Sequence, residues 1–354
     1  MGGIQFEINL SPKISILVCA LRERAFDMLP SFSRLHFPLL QRFAKKLFLP
    51  YYHVVSDERL AHIANLYAYK SISSFTKDVD WLCRNFSPIS LQDVLDAVRN
   101  DSPLPRNPLH LSFDDGFSEI HSVVAPILKA KGVPATFFLV TDWIDNRTLF
   151  YRHLASILVE LIDTKQSVMK KIADELQLPD ISRENVAKAL LRVSYEHREK
   201  IFSLARECEI DVGEYLKTKQ PYLNTTQVQA LMNDGFTIGS HSLDHPDFTS
   251  LTMNEQRRQI LESIDTLRGK FSLSIRAFSF PFGDMGIGKS LLESLSEKVD
   301  LLFGSANMKR DAVPFLLHRS NIESASQTAS ALVSMQYARY LFRRATGKGV
   351  VVRH

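Results

Sequence analysis

The chain has 354 residues, of which 45% are hydrophobic, and it carries 43 Lys and Arg against 39 Asp and Glu for a net charge of +4. This length and composition are typical of a soluble globular protein with one large or two ordinary domains, and they exclude a low-complexity or fibrous chain. The charge excess is mild and no segment alternates basic with aromatic residues, so we predict no nucleic-acid partner.

The cysteines and the N-terminus bear on the cellular compartment. Cys19, Cys83 and Cys208 are far apart and form no CxxC or Cys/His cluster, so we expect reduced thiols. The N-terminus lacks the pattern of a secretion signal, and its longest apolar run, 16–21, is shorter than the roughly 20 residues that span a membrane. These features predict a cytoplasmic protein.

The first 50 residues show one recognisable pattern. Residues 37–49, FPLLQRFAKKLFL, are basic and amphipathic. This pattern fits an ordinary helix packed on the domain, which we favour, or a helix that lies on the inner membrane surface. We predict an N-terminal segment over 1–50 and a main domain over 51–354.

Strands and helices alternate through most of the main domain. Ser90 begins a helix, and the spacings Thr226-x-x-Gln229 and Thr252-x-x-Glu255 predict two further capped helices. The segments with strand patterns are 109–113, 134–140, 236–240, 276–283, 299–306 and 315–323. Repeated β–α units of this length imply parallel strands with right-handed crossovers.

One region breaks the alternation. Residues 146–220 contain long charged helical segments and no strand signal. We predict a helical insertion, or lid, on the α/β core rather than a separate domain.

Three polar motifs each follow a predicted strand. They are DDG at 114–116, HSLDHP at 241–246 and PFG at 281–283. Because catalytic groups in parallel α/β folds gather at the carboxyl ends of the strands, we expect the three motifs at one mouth of the fold.

The DDG motif places two carboxylates side by side at the end of a buried strand, where they repel each other unless one is neutralised. His241 and His245 with one carboxylate form a ligand set that suits Zn²⁺ and related divalent metals. A metal held by Asp115, His241 and His245 relieves the repulsion and leaves Asp114 as the general base for a metal-bound water. The alternative is that DDG caps a helix and the histidines lie in surface turns.

The segments LSFDDGFSE, GSHSLDHPDFTSLTMNE and RAFSFPFGD resemble, in that order, the first three motifs of the polysaccharide deacetylases, the NodB-homology or carbohydrate esterase 4 family. The similarity covers 109–140 and 222–323. It implies an α/β fold, a distorted (β/α)7 barrel, and metal-dependent removal of acyl groups from N-acetylated sugars. From the ligand set we predict one divalent ion, Zn²⁺ first, with Co²⁺, Ni²⁺ or Mn²⁺ as alternatives that the sequence does not distinguish.

The resemblance also implies roles for individual residues. By position, Asp114 is the base, and Asp115, His241 and His245 are the metal ligands. The backbone N–H of Phe282 is the oxyanion donor, since a tetrahedral intermediate needs preorganised donors.

Two features depart from the family pattern. Many members have an arginine just before the third motif, where this chain has Ser279. Arg276 lies three residues earlier and is either an active-site residue or a surface charge.

The general acid is the second departure. His318, in FLLH, loosely matches the late histidine of common members, whereas His53, in LPYYHVV, matches a Tyr-His pair that precedes the DDG strand in the circularly permuted poly-N-acetylglucosamine deacetylases. An amide leaving group needs a proton, which a histidine can donate near neutral pH. We favour His53.

These features together predict a hydrolase that removes the N-acetyl group from an N-acetylhexosamine-containing saccharide or surface-glycan precursor, with a metal-bound water attacking the amide carbonyl. A cytoplasmic, nucleotide- or lipid-linked precursor at the inner membrane face fits the expected compartment. The alternatives are an allantoinase-like hydrolase of a small non-sugar amide and a catalytically inactive carbohydrate-binding homologue. Neither the sugar nor the oligomeric state follows from the sequence.

Overall fold

The computed structural model describes residues 30–353 except residue 45, so Cys19 and the apolar run 16–21 lie outside the described residues. The strands are β1 Pro50–Tyr52, β2 Ser87–Pro88, β3 Pro108–Leu109, β4 Leu111–Phe113, β5 Ala135–Leu139, β6 Thr237–Ser240, β7 Ala277–Ser279, β8 Leu301–Gly304, β9 Arg310–Asp311, β10 Leu316–His318, β11 Ser320–Asn321 and β12 Val350–Val351. The α-helices are α1 Pro30–Phe43, α2 Ile72–Asn85, α3 Leu91–Asn100, α4 Ala125–Ala130, α5 Tyr151–Ile162, α6 Gln166–Glu175, α7 Arg183–Leu191, α8 Glu199–Glu207, α9 Val212–Lys219, α10 Thr225–Asn233, α11 Met253–Phe271, α12 Lys289–Leu295 and α13 Ala329–Ala345.

Eight of the strands form one parallel sheet in the order β10-β8-β7-β6-β5-β4-β1-β11. Strands β10 and β11 stand at opposite ends of this order, yet Arg319 alone separates them in the chain. One bent terminal strand therefore pairs with β8 through its first half and with β1 through its second half, and it closes the sheet. Counted once, it gives seven strands, and the prediction of a distorted (β/α)7 barrel is confirmed.

Strand β5 is nearly continuously apolar, as expected for a parallel strand with both faces covered. All five residues of β5, the sequence ATFFL, are buried. Phe137 packs on Phe113 of β4 and on Phe236. This packing holds the strand ends, and hence the motifs that follow them, in fixed relative positions.

The predicted capping box of the helix before HSLDHP is wrong by two residues. Helix α10 begins at Thr225, and its reciprocal cap joins Asn224 and Gln227. The spacings Asn-x-x-Gln and Thr-x-x-Gln overlap here, and the tertiary structure chooses between them. The Leu223 N–H donates to the Gly116 carbonyl, which places Asn224 at the end of an extended segment. The cap predicted at Thr252 is observed, with its hydroxyl accepting from the Glu255 N–H.

Helix α1 packs on the domain through Phe37, whose ring contacts Trp81, Phe86 and Tyr337. Leu39 and Phe43 are about half exposed on this helix. No helix within residues 30–353 combines the length and the apolar character needed to cross a bilayer. Contact with a membrane surface and the division of the chain at residue 50 stay predictions.

Residues 146–220 contain the five helices α5–α9 and no strand. Their apolar faces form one cluster that continues into Phe117 and Val140, which follow barrel strands β4 and β5. The first turn of α5 reaches the mouth of the barrel, so this helical region supplies one wall of the cavity described next.

Candidate active site

A cavity of about 320 Å³ lies at the carboxyl ends of the barrel strands. The three motifs that follow β4, β6 and β7 all contribute to it, as the strand-end argument predicts. Its lining residues are Tyr51, His53, Leu66, Tyr67, Ala68, Asp114, Asp115, Phe150, Arg152, His153, His241, His245, Phe280, Phe282, Gly283, Ser305, Arg319, Asn321 and Glu323.

The three residues predicted as metal ligands converge in this cavity. Asp115 Oδ1 lies 3.5 Å from His241 Nε2 and 3.3 Å from His245 Nε2. The ligand atoms of the three side chains all lie within 4.8 Å of one another, and all three residues are buried. This compact set of one carboxylate and two imidazoles has the composition of a divalent-metal site.

Hydrogen bonding fixes which nitrogen of His241 is free. His241 Nδ1 lies 2.8 Å from the Ser279 carbonyl oxygen, and because a carbonyl can only accept, Nδ1 carries the proton. Burial lowers the pKa of His241 to about 4, so the ring is neutral near pH 7. Its Nε2 therefore presents a lone pair to Asp115.

The carboxylate of Asp115 is ionised and leaves one buried oxygen without a partner among the described residues. Burial by itself raises the pKa of a carboxyl group, but the neighbouring His245 imidazole, with smaller effects of His53 and His241, holds the pKa of Asp115 well below its ordinary value. Asp115 Oδ1 is buried and has no hydrogen-bond partner among the described residues. An ionised oxygen that faces an imidazole lone pair is unfavourable unless a cation lies between them, so these residues fit a divalent metal ion.

The backbone at the site is held in an uncommon conformation. Four non-glycine residues of the motifs, Asp115, Ser242, His245 and Phe282, have φ values of +74°, +79°, +62° and +55°. Such values cost free energy for residues with a Cβ, and they persist where the surrounding structure imposes them. Here they turn the chain sharply after each strand and aim the side chains into the cavity.

Aromatic rings enclose His245. The Trp143 ring stacks on it with centroids 5.5 Å apart, and the rings of Phe150 and Phe282 meet it at 5.1 and 4.7 Å. Trp143 and Phe150 are buried, whereas Phe282 is 53% exposed. These contacts fix the plane of the imidazole and exclude water from one side of the candidate metal site.

Asp114, the predicted base, is paired with an arginine that the sequence analysis missed. Arg319 donates two hydrogen bonds to its carboxylate, at 2.7 and 2.6 Å, and both side chains are buried. Burial raises the pKa of a carboxyl group, but the Arg319 charge more than offsets this and leaves the pKa of Asp114 below its ordinary value. Asp114 is thus an ionised, oriented carboxylate 3.9 Å from His241 Nε2.

Arg319 supplies the guanidinium that the family pattern places at Ser279. It donates to the Ser279 hydroxyl and to the Ser112 hydroxyl, so it spans the barrel interior from the bend of the closing strand. Arg276 instead pairs with Asp300 and donates to the Glu297 carbonyl, and it does not line the cavity. Of the two interpretations of Arg276, the surface charge is the one that the structure supports.

His53 lines the cavity beside a second residue that the sequence analysis missed. Its Nδ1 lies 2.7 Å from Glu323 Oε2, and Glu323 also accepts from the N–H of Val54. Burial lowers the pKa of an imidazole, but the Glu323 carboxylate, with smaller contributions from Asp115 and Asp114, raises the pKa of His53 to about 9. His53 is therefore cationic at neutral pH and has a proton to donate.

His318, the other candidate acid, faces away from this cavity. Its Nε2 lies 3.0 Å from Asp311 Oδ2, and its Nδ1 lies 3.7 Å from Asp284 Oδ1. Although Asp284, Asp311 and His318 also converge within 4.8 Å, the guanidinium of Arg353 already pairs with both carboxylates. This second cluster joins the C-terminal segment to the loop after β7.

The backbone N–H of Phe282 lies on that same loop. Gly283 N–H donates back to the Phe280 carbonyl, whereas the Phe282 N–H donates to no acceptor in the part of the chain that the structure describes. Its position in the lining of the cavity is consistent with the predicted oxyanion donor.

A parallel barrel whose mouth combines a candidate divalent-metal ligand set, an ionised carboxylate and a cationic histidine is typical of metal-dependent barrel hydrolases. Comparison with known proteins narrows this class. Residues 101–297 match the family model of the polysaccharide deacetylases. This match covers more than half of the chain, and the chain belongs to the polysaccharide deacetylase family.

Individual relatives agree with this assignment. The chain is 23% identical over 273 residues to the poly-beta-1,6-N-acetyl-D-glucosamine N-deacetylase of Escherichia coli K12, a match that covers 75% of this chain and 35% of that protein. The chain thus spans about a third of the length of the curated relatives it matches.

Solved structures share the fold. The deacetylase PplD of Streptococcus pyogenes, in complex with acetate, superposes with a TM-score of 0.53 at 14% identity and covers 83% of this chain and 99% of its own. IcaB of Ammonifex degensii gives the same TM-score and identity, with 83% and 98% of the two chains covered.

Proposed function

We propose that this protein is a metal-dependent N-deacetylase that removes the acetyl group from an N-acetylhexosamine-containing saccharide. One observation carries the proposal. The Asp115–His241–His245 set shares one cavity with two ion pairs, one suited to a general base and the other to a general acid. One pair, Asp114 with Arg319, keeps a carboxylate ionised, and the other, His53 with Glu323, keeps an imidazole protonated.

Hydrolysis of an amide needs each of these groups. A divalent ion held by Asp115, His241 and His245 would supply Lewis-acid chemistry, polarising the acetyl carbonyl and lowering the pKa of a water. Asp114 accepts the proton of the attacking water. Arg319 keeps the Asp114 carboxylate ionised beforehand and fixes its orientation. The Phe282 N–H donates to the developing oxyanion.

The nitrogen leaves as an amine and must receive a proton as the C–N bond breaks. His53 donates that proton, because its pKa of about 9 keeps it protonated at neutral pH. Acid and base thus come from two side chains whose surroundings shift their pKa values in opposite directions, an arrangement typical of acid–base catalysis.

The names of the relatives support a saccharide substrate. The Escherichia coli protein is named for deacetylation of poly-β-1,6-N-acetyl-D-glucosamine, but this chain covers 35% of that protein. The saccharide class and the N-acetyl bond are therefore proposals for this chain.

The proposal is tested by acetate release from N-acetylated monosaccharides and oligosaccharides, with and without a chelator. We expect release that the chelator abolishes and that Asp114→Asn lowers by about 10²–10⁴-fold, because a general base contributes that much. Asp174→Asn, an exposed carboxylate on α6, is the matched control and should keep full activity. Acetate release that persists in Asp114→Asn refutes the base, and release from non-sugar amides alone refutes the saccharide.

A further inference from the structure

Arg152, on the first turn of helix α5, lies in the wall of the cavity. Its guanidinium carbon is 5.4 Å from the centroid of the Phe282 ring, a cation–π distance. Its Nε is buried and has no hydrogen-bond partner among the described residues. An unsatisfied buried donor on a charged side chain is costly, so a ligand that brings an acceptor to Arg152 Nε is bound favourably.

The other charges of the cavity already have partners. Asp114 is paired with Arg319, Glu323 is paired with His53, and Asp115 belongs to the candidate metal site. Arg152, by contrast, forms no ion pair with a carboxylate in residues 30–353. With a divalent ion in place, the cavity holds a net positive charge that its own residues do not balance.

The geometry of the guanidinium adds chemical specificity. The Arg152 guanidinium lies over the Phe282 ring, and its planar fork of donors matches two oxygens of a phosphate or carboxylate group. The same Phe282 ring contacts His245, so a single phenyl ring separates the arginine from the candidate metal site.

We propose that Arg152 binds an anionic group, a phosphate or a carboxylate, carried by the sugar that is deacetylated or by its direct neighbour. The inference rests on the proposed function for the identity of the sugar and deepens it, because it makes an acidic saccharide the preferred substrate. Binding of the anion satisfies the buried Nε donor and neutralises the excess charge of the cavity.

The experiment compares five probes: the 1-phosphate and the 6-phosphate of N-acetylglucosamine, N-acetylmuramic acid as the carboxylate, and neutral methyl N-acetylglucosaminide and di-N-acetylchitobiose. Acetate release is measured for the wild-type chain, Arg152→Gln and Arg152→Lys. Arg183→Gln is the matched control, since Arg183 lies in the same helical region and pairs with Asp163 at the surface. Binding of each probe to the metal-loaded Asp114→Asn chain, with and without Arg152→Gln, is measured by calorimetry.

We expect at least one anionic probe to exceed the neutral ones in kcat/KM and affinity by about tenfold or more, the usual strength of a charge-assisted contact. Arg152→Gln should remove this preference mainly through KM, Arg152→Lys should restore part of it, and Arg183→Gln should leave it unchanged. A preference for the sugar phosphates identifies the bound group as a phosphate, and a preference for N-acetylmuramic acid identifies it as a carboxylate.

Two results overturn the inference: equal binding of neutral and anionic probes, or an equal loss for both classes in Arg152→Gln. Failure of the proposed function looks different, because no probe then releases acetate. In that case an anion preference in calorimetry that depends on Arg152 still supports the anion site, and its absence refutes it.

Discussion

The two adjacent aspartates of the DDG motif have unlike surroundings. Asp114 receives two hydrogen bonds from the buried Arg319, whereas Asp115 Oδ1 has no hydrogen-bond partner among the described residues and faces two imidazoles. The difference suits the two roles proposed for these neighbouring carboxylates, Asp114 as base and Asp115 as metal ligand. It also makes Arg319 a positioning residue for Asp114.

Removal of the Arg319 charge should affect stability and pH dependence together. Arg319→Met leaves Asp114 buried without its cation, which is expected to lower the free energy of unfolding by about 3–5 kcal/mol. The pKa of Asp114 should rise, so the acidic limb of the kcat/KM profile moves to higher pH. Urea denaturation and a pH–rate profile measure the two effects.

Arg258→Met is the matched control for this variant. Arg258 pairs with Glu255 and Glu262 on the surface of α11, and loss of an exposed pair costs about 0–1 kcal/mol. If the acidic limb stays in place in Arg319→Met, the arginine does not hold the base in its ionised form.

The role proposed for His53 as general acid leads to a second prediction, which concerns the basic limb of the pH–activity profile. A general acid works while it is protonated, so activity should fall as the pH rises through the raised pKa of His53, about 9. Glu323→Gln removes the largest contribution that raises this pKa, and the basic limb should move to lower pH.

The pH profiles of wild type and Glu323→Gln are compared at saturating metal. Glu160→Gln, a carboxylate of α5 paired with Arg59, serves as control and should not move the limb. Identical basic limbs in wild type and Glu323→Gln contradict the assignment of His53 as the acid.

At the scale of elements, the C-terminal segment contacts the loop after β7 through Arg353 and fixes its position. Arg353 donates to the carbonyl oxygens of Asp284 and Ile287 and pairs with the Asp284 carboxylate. Asp284 also accepts from the Ser305 N–H. These bonds fix the loop that carries the Phe282 N–H, so they position the proposed oxyanion donor from outside the cavity.

Gly304→Ala tests this support. A Cβ at Gly304 would lie 2.3 Å from Asp284 Oδ1 and 2.8 Å from His318 Nδ1, so the carboxylate must move. We expect kcat to fall by roughly tenfold or more, because loss of an oxyanion donor costs up to 10²–10³, while KM changes little. Steady-state kinetics and metal content measure the outcome.

Gly269→Ala is the control, since a Cβ added there, on helix α11, meets nothing within 4 Å. It should keep full activity and gain up to about 1 kcal/mol of stability from the better helix propensity of alanine. Unchanged kcat in Gly304→Ala contradicts a role of this loop in catalysis.

At the scale of the whole molecule, the candidate metal site links three strands of the barrel. Asp115 follows β4, and His241 and His245 follow β6, with His241 tied to the β7 carbonyl of Ser279. A ligand that binds the folded state alone stabilises it by RT ln(1 + [L]/Kd). Metal should therefore stabilise the barrel as a unit.

We expect added Zn²⁺ to raise the thermal midpoint of the wild-type chain by several degrees, and a chelator to reverse the rise. At a free Zn²⁺ concentration of 100 times Kd, the free energy of unfolding rises by about 2.7 kcal/mol. His241→Ala should lose the response, whereas His121→Ala, a histidine outside the cavity, should keep it. Scanning calorimetry measures the thermal midpoint, and elemental analysis measures the metal content. An equal rise of the midpoint with Zn²⁺ in the two variants argues against this site.

The sequence by itself determined the barrel and the three motifs at its mouth. Apolar runs with polar residues at their carboxyl ends are local patterns, and parallel strands bring those ends together whatever the details of packing. Asp114, Asp115, His241, His245 and Phe282 could therefore be assigned to one site from the motifs and their order.

The tertiary structure decided the partners that set the chemistry of these residues. Arg319 meets Asp114 across 205 residues, and Glu323 meets His53 across 270. Both come from the closing strand, and its bend at Arg319 turns that side chain into the barrel and delivers Glu323 beside β1. No local pattern encodes such pairings, because they depend on which strand ends become neighbours when the sheet closes.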